Sequence, residues 1–130
     1  MPRYTAIVTL LTLAFYFYLA TRVAVARGKF KVELPATTGN ADFERIFRVH
    51  MNTLEWMPTF LVPLWLCAFY LNDAAAAVLG LIWVGGRILY FIGYRKAVEK
   101  RLPGFLVQVT ACGLLFLGAI AGIVMHWSAG

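Results

Sequence analysis

Four long runs nearly free of charge constrain this chain more than any other feature. Tyr4–Thr21 carries no charged residue over 18 positions, Trp56–Asn72 none over 17, and Leu102–Gly130 none over 29. Between the last two, Ala74–Tyr94 carries only Arg87. A helix rises about 1.5 Å per residue and a bilayer core is about 30 Å thick, so roughly 20 apolar residues cross it. In lipid every backbone polar group must be satisfied internally, which leaves helices or a closed barrel. Barrel strands alternate over about 10 residues, and these runs are longer and continuous. The expected fold is therefore all-α: an integral membrane four-helix bundle with up-down topology. Its helices are expected at roughly 4–26, 43–71, 74–100 and 103–127, in a single transmembrane domain over residues 1–130.

Composition agrees. Hydrophobic residues make up 62% of the chain and charged residues 14%, against about 45–50% and about 25% in soluble domains. A soluble globular enzyme and a disordered tail are both excluded. No length remains for a separate catalytic domain, so any chemistry must be built from helix ends and connecting loops. The first run has small residues at cleavage-like spacing, Ala24-Val25-Ala26. It is nevertheless read as a retained helix, because only Arg3 precedes it and it exceeds the usual 7–15 apolar residues of a signal peptide.

The charge is distributed unevenly. Net charge is +6, and 11 of the 12 Lys and Arg residues fall on or near the first and third connections. The Asn72-Asp73 turn between them has no positive charge. Under the positive-inside rule the first and third connections face the cytoplasm and both termini lie outside. Anionic headgroups and acidic small molecules suit this balance. Nucleic acid does not, since no basic stripe on a soluble fold is available to carry it. The compact chain without a retention tail points to a bacterial inner membrane.

Charges inside membrane helices are costly and raise a functional hypothesis. Arg48, Asn52 and Glu55 follow i, i+4, i+7 spacing and share one face of the second helix. Arg87, Tyr90 and Tyr94 share a face of the third, and Arg101 extends that spacing if the helix lasts so far. Glu55 and Arg87 are expected at similar depth, about 15 Å in, which suggests a buried ion pair stapling the two helices. Pro58 and Pro63 predict a bend in the second helix. Arg48, Asn52, Tyr90, Tyr94 and Arg101 lie nearer the cytoplasmic boundary, with Arg27, Lys29 and Lys31 at the end of the first helix. Together they outline a cationic, hydrogen-bonding niche.

Two readings stay open for that niche: a polar-ligand site, or a charge network with snorkelling side chains and an aromatic belt. As a site it suits a zwitterionic peptide with excess negative charge. Arginines would take carboxylates, Glu55 an ammonium and Asn52 an amide. No metal is expected, since His50 and His126 are far apart without partners. Cys67 and Cys112 give neither metal spacing nor a disulfide framework. Gly80, Gly85 and Gly86 lie in an apolar helix, where close helix packing is expected.

The segment Phe43-Glu44-Arg45-Ile46-Phe47-Arg48-Val49-His50-Met51-Asn52-Thr53-Leu54-Glu55 resembles the signature of the MAPEG family, membrane-associated proteins in eicosanoid and glutathione metabolism. Gly80-Leu81-Ile82-Trp83, Arg87, Tyr90-Phe91, Gly93-Tyr94 and Lys100-Arg101-Leu102 also resemble it, closest to the branch of microsomal glutathione transferases and leukotriene-C synthase. The resemblance implies a homotrimer with glutathione as co-substrate, bound between adjacent subunits near the cytoplasmic face. It implies Arg27, Arg48, His50, Asn52, Glu55, Tyr90 and Tyr94 as glutathione-binding residues and Arg101 as the catalytic residue that stabilises the thiolate. The implied activity is conjugation of glutathione to hydrophobic electrophiles, with glutathione peroxidase activity on lipid hydroperoxides as a second capacity. Gly28 stands where the leukotriene-forming members carry a second arginine, and Trp56 where Tyr or Phe is usual. Because the family includes a member that binds lipid and partners without conjugating anything, a non-catalytic lipid-binding or scaffold protein is the alternative.

Overall fold

The computed structural model describes residues 1–129. Its elements, in chain order, are four α-helices, α1 (Arg3–Lys29), α2 (Ala41–Tyr70), α3 (Asp73–Tyr94) and α4 (Leu102–Met125), with a 3₁₀ turn, Val98–Arg101, before α4 and another, Trp127–Ala129, after it. No strand occurs among the described residues. The all-helical bundle expected from the charge-free runs is the fold observed.

Local chemistry sets the helix starts. Asn40 takes an extended conformation and its side chain accepts from the Phe43 amide at 3.0 Å, capping α2. Asp42 and Glu44 follow in the first turn, where carboxylates oppose the helix dipole. Asn72 repeats the device at α3, accepting from the Ala75 amide at 2.8 Å. The next residue, Asp73, reaches across the bundle. Its two carboxylate oxygens accept from the Tyr4 and Thr5 amides at 3.0 and 2.9 Å, so α3 supplies the cap that α1 lacks.

Three helices, α1, α3 and the segment containing α4, are long and apolar enough to cross a membrane. The 30-residue α2 is long enough but not apolar enough over its length. Its charge-free part within the helix, Trp56–Tyr70, is only about 22 Å long. The rest is polar and serves the site described below. α2 runs unbroken through Pro58 and Pro63. Each proline removes the donor for the carbonyl four residues earlier. For Pro63 that carbonyl belongs to Thr59, and the Cys112 thiol of α4 donates to it at 3.2 Å. The buried Cys112, which has no metal or disulfide role in the sequence, thus answers a vacancy in α2.

The core lies between α2, α3 and α4. Phe60 and Trp83 stack at its centre with ring centroids 3.8 Å apart and planes within 4°, surrounded by Leu64, Cys67, Ala111 and Leu115. Helices approach closely where side chains are absent. A Cβ at Gly86 would lie 2.7 Å from the Gln108 amide nitrogen, and one at Gly104 would lie 2.2 Å from the Tyr90 nitrogen. Gly80 is likewise closed in by Val8 and Leu64, whereas Gly85 meets nothing. Packing therefore explains Gly80 and Gly86 but not Gly85.

The third helix is shorter than expected. It ends at Tyr94 rather than near residue 100. A Cβ at Gly93 would lie 2.1 Å from the Lys100 carbonyl oxygen. Only glycine lets the connection fold back onto the helix end, and this fold-back carries Arg101 to the start of α4.

Candidate active site

The expected stripe on α2 forms. Arg48 and Glu55 pair at 3.0 Å, with side chains 49% and 53% exposed. The Asn52 amide donates to the same Glu55 oxygen at 3.4 Å. On α3 the Tyr90 and Tyr94 rings lie 5.3 Å apart, one turn after another. α2 and α3 meet α4 at this level, and the space between them is a cavity of about 380 Å³. Arg48, Asn52, Tyr90, Tyr94 and Arg101 line it, with an apolar wall that includes Leu102 and Phe105. A second cavity of about 390 Å³ shares Arg48, Tyr94 and Val98 and extends toward Thr37 and Glu44 at the start of α2. Both volumes fall within the roughly 300–1,000 Å³ usual for small-molecule sites.

Arg101 reaches this cavity by a different route from the one its spacing suggests. It is not a further turn of α3. It ends the 3₁₀ segment, where one guanidinium nitrogen donates to the Val98 carbonyl at 2.9 Å. That bond holds one prong of the fork, and the residue remains exposed.

The expected Arg87–Glu55 staple does not form. Arg87 is fully buried. Its guanidinium donates to Asn52 Oδ1 at 2.9 Å and to Thr53 Oγ1 at 2.7 Å, and it lies 4.3 Å from the centre of the Tyr90 ring. The reason is rotational. Thr53 and Glu55 are about 200° apart around α2. Arg87 enters on the Asn52–Thr53 side, and Glu55 stays outside with Arg48. Arg87 nevertheless touches the cavity wall from behind, because Asn52 and Tyr90 are both part of that wall. By accepting from Arg87, Asn52 Oδ1 is held inward, which turns the amide nitrogen toward Glu55.

Two predicted site residues stand apart from this cavity. Arg27 donates to the Ala36 carbonyl at 2.7 Å and to Val32 at 3.3 Å, and lies over the Phe43 ring at 4.8 Å. His50 stacks on Tyr16 of α1, with ring centroids 4.8 Å apart. Both lie on the α1–α2 side of the bundle. Sequence reasoning missed Thr53, Val98, Leu102 and Phe105. Thr53 was visible only as an uncharged neighbour of Asn52, and the other three enter through the fold-back, which no spacing rule encodes. Among the described residues, no three His, Cys, Asp or Glu side chains come together as a metal group would require.

A family model for the MAPEG family matches residues 5–121. The chain belongs to the MAPEG family. It is 42% identical to human microsomal glutathione S-transferase 2 over 118 residues, which cover 91% of this chain and 80% of that protein. It is 37% identical to bovine leukotriene C4 synthase over 122 residues, covering 94% and 81% respectively. An uncharacterised protein of Synechocystis matches at 46% over 119 residues, 92% of this chain and 87% of the relative. As a MAPEG protein with three spanning-capable helices, the chain is an integral membrane protein. The cavity lined by Arg48, Asn52, Tyr90, Tyr94 and Arg101, and Glu55 bonded to the first two, lie within the matched region.

Proposed function

We propose that this MAPEG protein is a membrane-bound glutathione transferase that conjugates glutathione thiolate to hydrophobic electrophiles. One observation carries the reading: Arg48, Asn52, Tyr90, Tyr94 and Arg101 converge on one cavity whose other wall is apolar. The two kinds of wall suit an anionic peptide and a greasy second substrate side by side. The names of its relatives, a glutathione S-transferase and a leukotriene synthase, support the same chemistry.

In this mechanism Arg48 takes a carboxylate of the tripeptide, Glu55 its ammonium and Asn52 an amide. Tyr90 and Tyr94 flank the peptide. The Arg101 guanidinium sits beside the sulfur and favours thiolate over thiol, since a nearby cation lowers a thiol pKa. The thiolate attacks the electrophilic carbon, a carbon–sulfur bond forms, and the leaving group departs with the bonding electron pair. Holding both partners in one cavity supplies proximity, and Arg101 supplies electrostatic stabilisation. No protein nucleophile is required. With a lipid hydroperoxide, two glutathiones are oxidised to the disulfide while the peroxide is reduced to an alcohol and water.

Arg27 and His50 enter the same proposal through assembly. Within one subunit both lie on the α1–α2 side, away from the cavity. In a homotrimer that side would face the cavity of a neighbour, and the two residues would complete the glutathione site across the interface. In this reading the site faces the cytoplasm from a bacterial inner membrane; the basic connectors support the cytoplasmic orientation.

The purified protein is expected to conjugate glutathione to a chromogenic aryl halide and to show thiolate absorbance near the ultraviolet edge when glutathione is added. Absence of turnover with calorimetric binding of glutathione retained would favour the non-catalytic alternative. No binding heat, and no competition by a non-reactive analogue, would leave only a charge network.

A further inference from the structure

A second cationic niche lies on a different face of α2 from the candidate active site. It is a cavity of about 340 Å³, bounded by Arg22, Lys29, Asp42, Ile46 and Arg95. That is more than ten times a water molecule's share of about 30 Å³, so the niche has room for a headgroup-sized ligand. Three cations face one carboxylate there, and the carboxylate is already engaged, because Arg45 pairs with Asp42. The cations are therefore left with a surplus of positive charge. Arg22 carries the sharpest signal: its Nε is shielded from solvent and has no hydrogen-bond partner among the described residues. A shielded guanidinium nitrogen normally has an acceptor, since leaving it unpaired costs free energy.

The position fixes the chemistry further. Arg22 directly follows the charge-free run of α1, and Arg95 directly follows the end of α3. Both therefore sit where the apolar spans end. One turn before Arg22, Tyr18 packs edge-on against Phe91, ring centroids 6.1 Å apart, and the Arg95 guanidinium lies 5.4 Å from the same Phe91 ring. Below the cations this α1–α3 seam presents exposed apolar surface at Tyr18, Ile88 and Ile92. Charge at the level of a headgroup and apolar surface at the level of acyl chains is the pattern of a lipid site, not of a soluble anion site.

We infer that Arg22, Lys29 and Arg95 form a binding site for the phosphodiester headgroup of an anionic phospholipid, whose acyl chains lie along the α1–α3 seam. Arginine forks suit phosphate oxygens, and Lys29 adds a point charge. The niche uses none of the residues assigned to glutathione, so its occupancy and the transferase reading fail independently.

The test is native mass spectrometry of the detergent-purified protein, with phosphatidylglycerol and phosphatidylcholine added separately. Phosphatidylglycerol is expected to be retained preferentially, and the double variant Arg22→Gln/Arg95→Gln to lose about tenfold or more of that preference. Lys96→Gln, a basic residue outside the niche, serves as the control and is expected to retain it. The single variants Arg22→Gln and Lys29→Gln are expected to fall between, and a Tm in detergent close to that of the parent protein checks that each is folded. Equal retention of the two lipids would overturn the inference, as would an unchanged preference in the double variant. So would displacement of the lipid by millimolar inorganic phosphate or glycerophosphate, which would mark a site for free anions.

Discussion

Two arginines on facing helices end in opposite circumstances. Arg48 on α2 is half exposed and pairs with a carboxylate, Glu55, at 3.0 Å. Arg87 on α3 is fully buried and meets no carboxylate. It is held by a neutral amide oxygen, a hydroxyl and a tyrosine ring. The acid stays where water and ligands reach it, and the deep cation is held by neutral acceptors through its two terminal nitrogens, its Nε having no partner among the described residues. Had Glu55 turned inward to Arg87, Arg48 would have lost its carboxylate partner, and two charges would have been desolvated together. The arrangement found keeps Arg48 and Asn52 at the surface of the cavity, with Glu55 bonded to both, and puts Arg87 behind Asn52 as a support.

The contrast can be broken or sharpened in order of expected effect. Replacing the exposed, cavity-lining Arg101 by alanine is expected to lower kcat with an aryl halide by about 10²-fold or more, the usual loss for one stabilising donor. The thiolate absorbance should vanish with it. Undiminished turnover with unchanged absorbance would remove the catalytic assignment. On the buried side, Thr53→Val keeps shape but removes an acceptor from Arg87. It is expected to cost about 2 kcal/mol, seen as a lower Tm in detergent. An unchanged Tm would mean that Arg87 is satisfied without Thr53.

Cys112→Ala probes a second buried polar contact. Loss of the thiol bond to the Thr59 carbonyl, together with a small void, should cost about 1 kcal/mol. In a Pro63→Ala background the residue 63 amide can serve that carbonyl instead, so the same Cys112 change should cost less. Equal costs in both backgrounds would refute the coupling. Smallest in stability is Arg48→Gln, because a half-exposed ion pair contributes about 1 kcal/mol or less. Its expected mark is functional: calorimetry should show about tenfold weaker glutathione binding with Tm nearly unchanged. A large fall in Tm would make Arg48 a structural residue.

Much of this was legible along the chain. The charge-free runs gave the helices, and the spacing of Arg48, Asn52 and Glu55 gave their common face, because side chains three and four apart on a helix are neighbours whatever surrounds it. The site was legible in part. Arg101 was singled out, with its place on α3 conditional on the helix lasting so far; the helix stops at Tyr94, where Gly93 lets the chain fold back, and Arg101 arrives by the 3₁₀ segment instead. Arg87 was singled out too, and its partner was misread. Depth can be counted from a sequence, whereas the direction a side chain takes from a neighbouring helix cannot.

The sequence by itself determined that this chain is a membrane helix bundle with a polar stripe at its basic end. Hydrophobic length and helical periodicity are properties of each segment alone. Only the tertiary structure decided that Asn52 and Thr53, not Glu55, receive Arg87, and that Arg101 joins Tyr90 and Tyr94 from the start of α4. Those outcomes depend on how far each helix is rotated about its own axis. Contacts such as Gly86 on Gln108 and Gly104 on Tyr90 set that rotation, and they exist only once the helices have met.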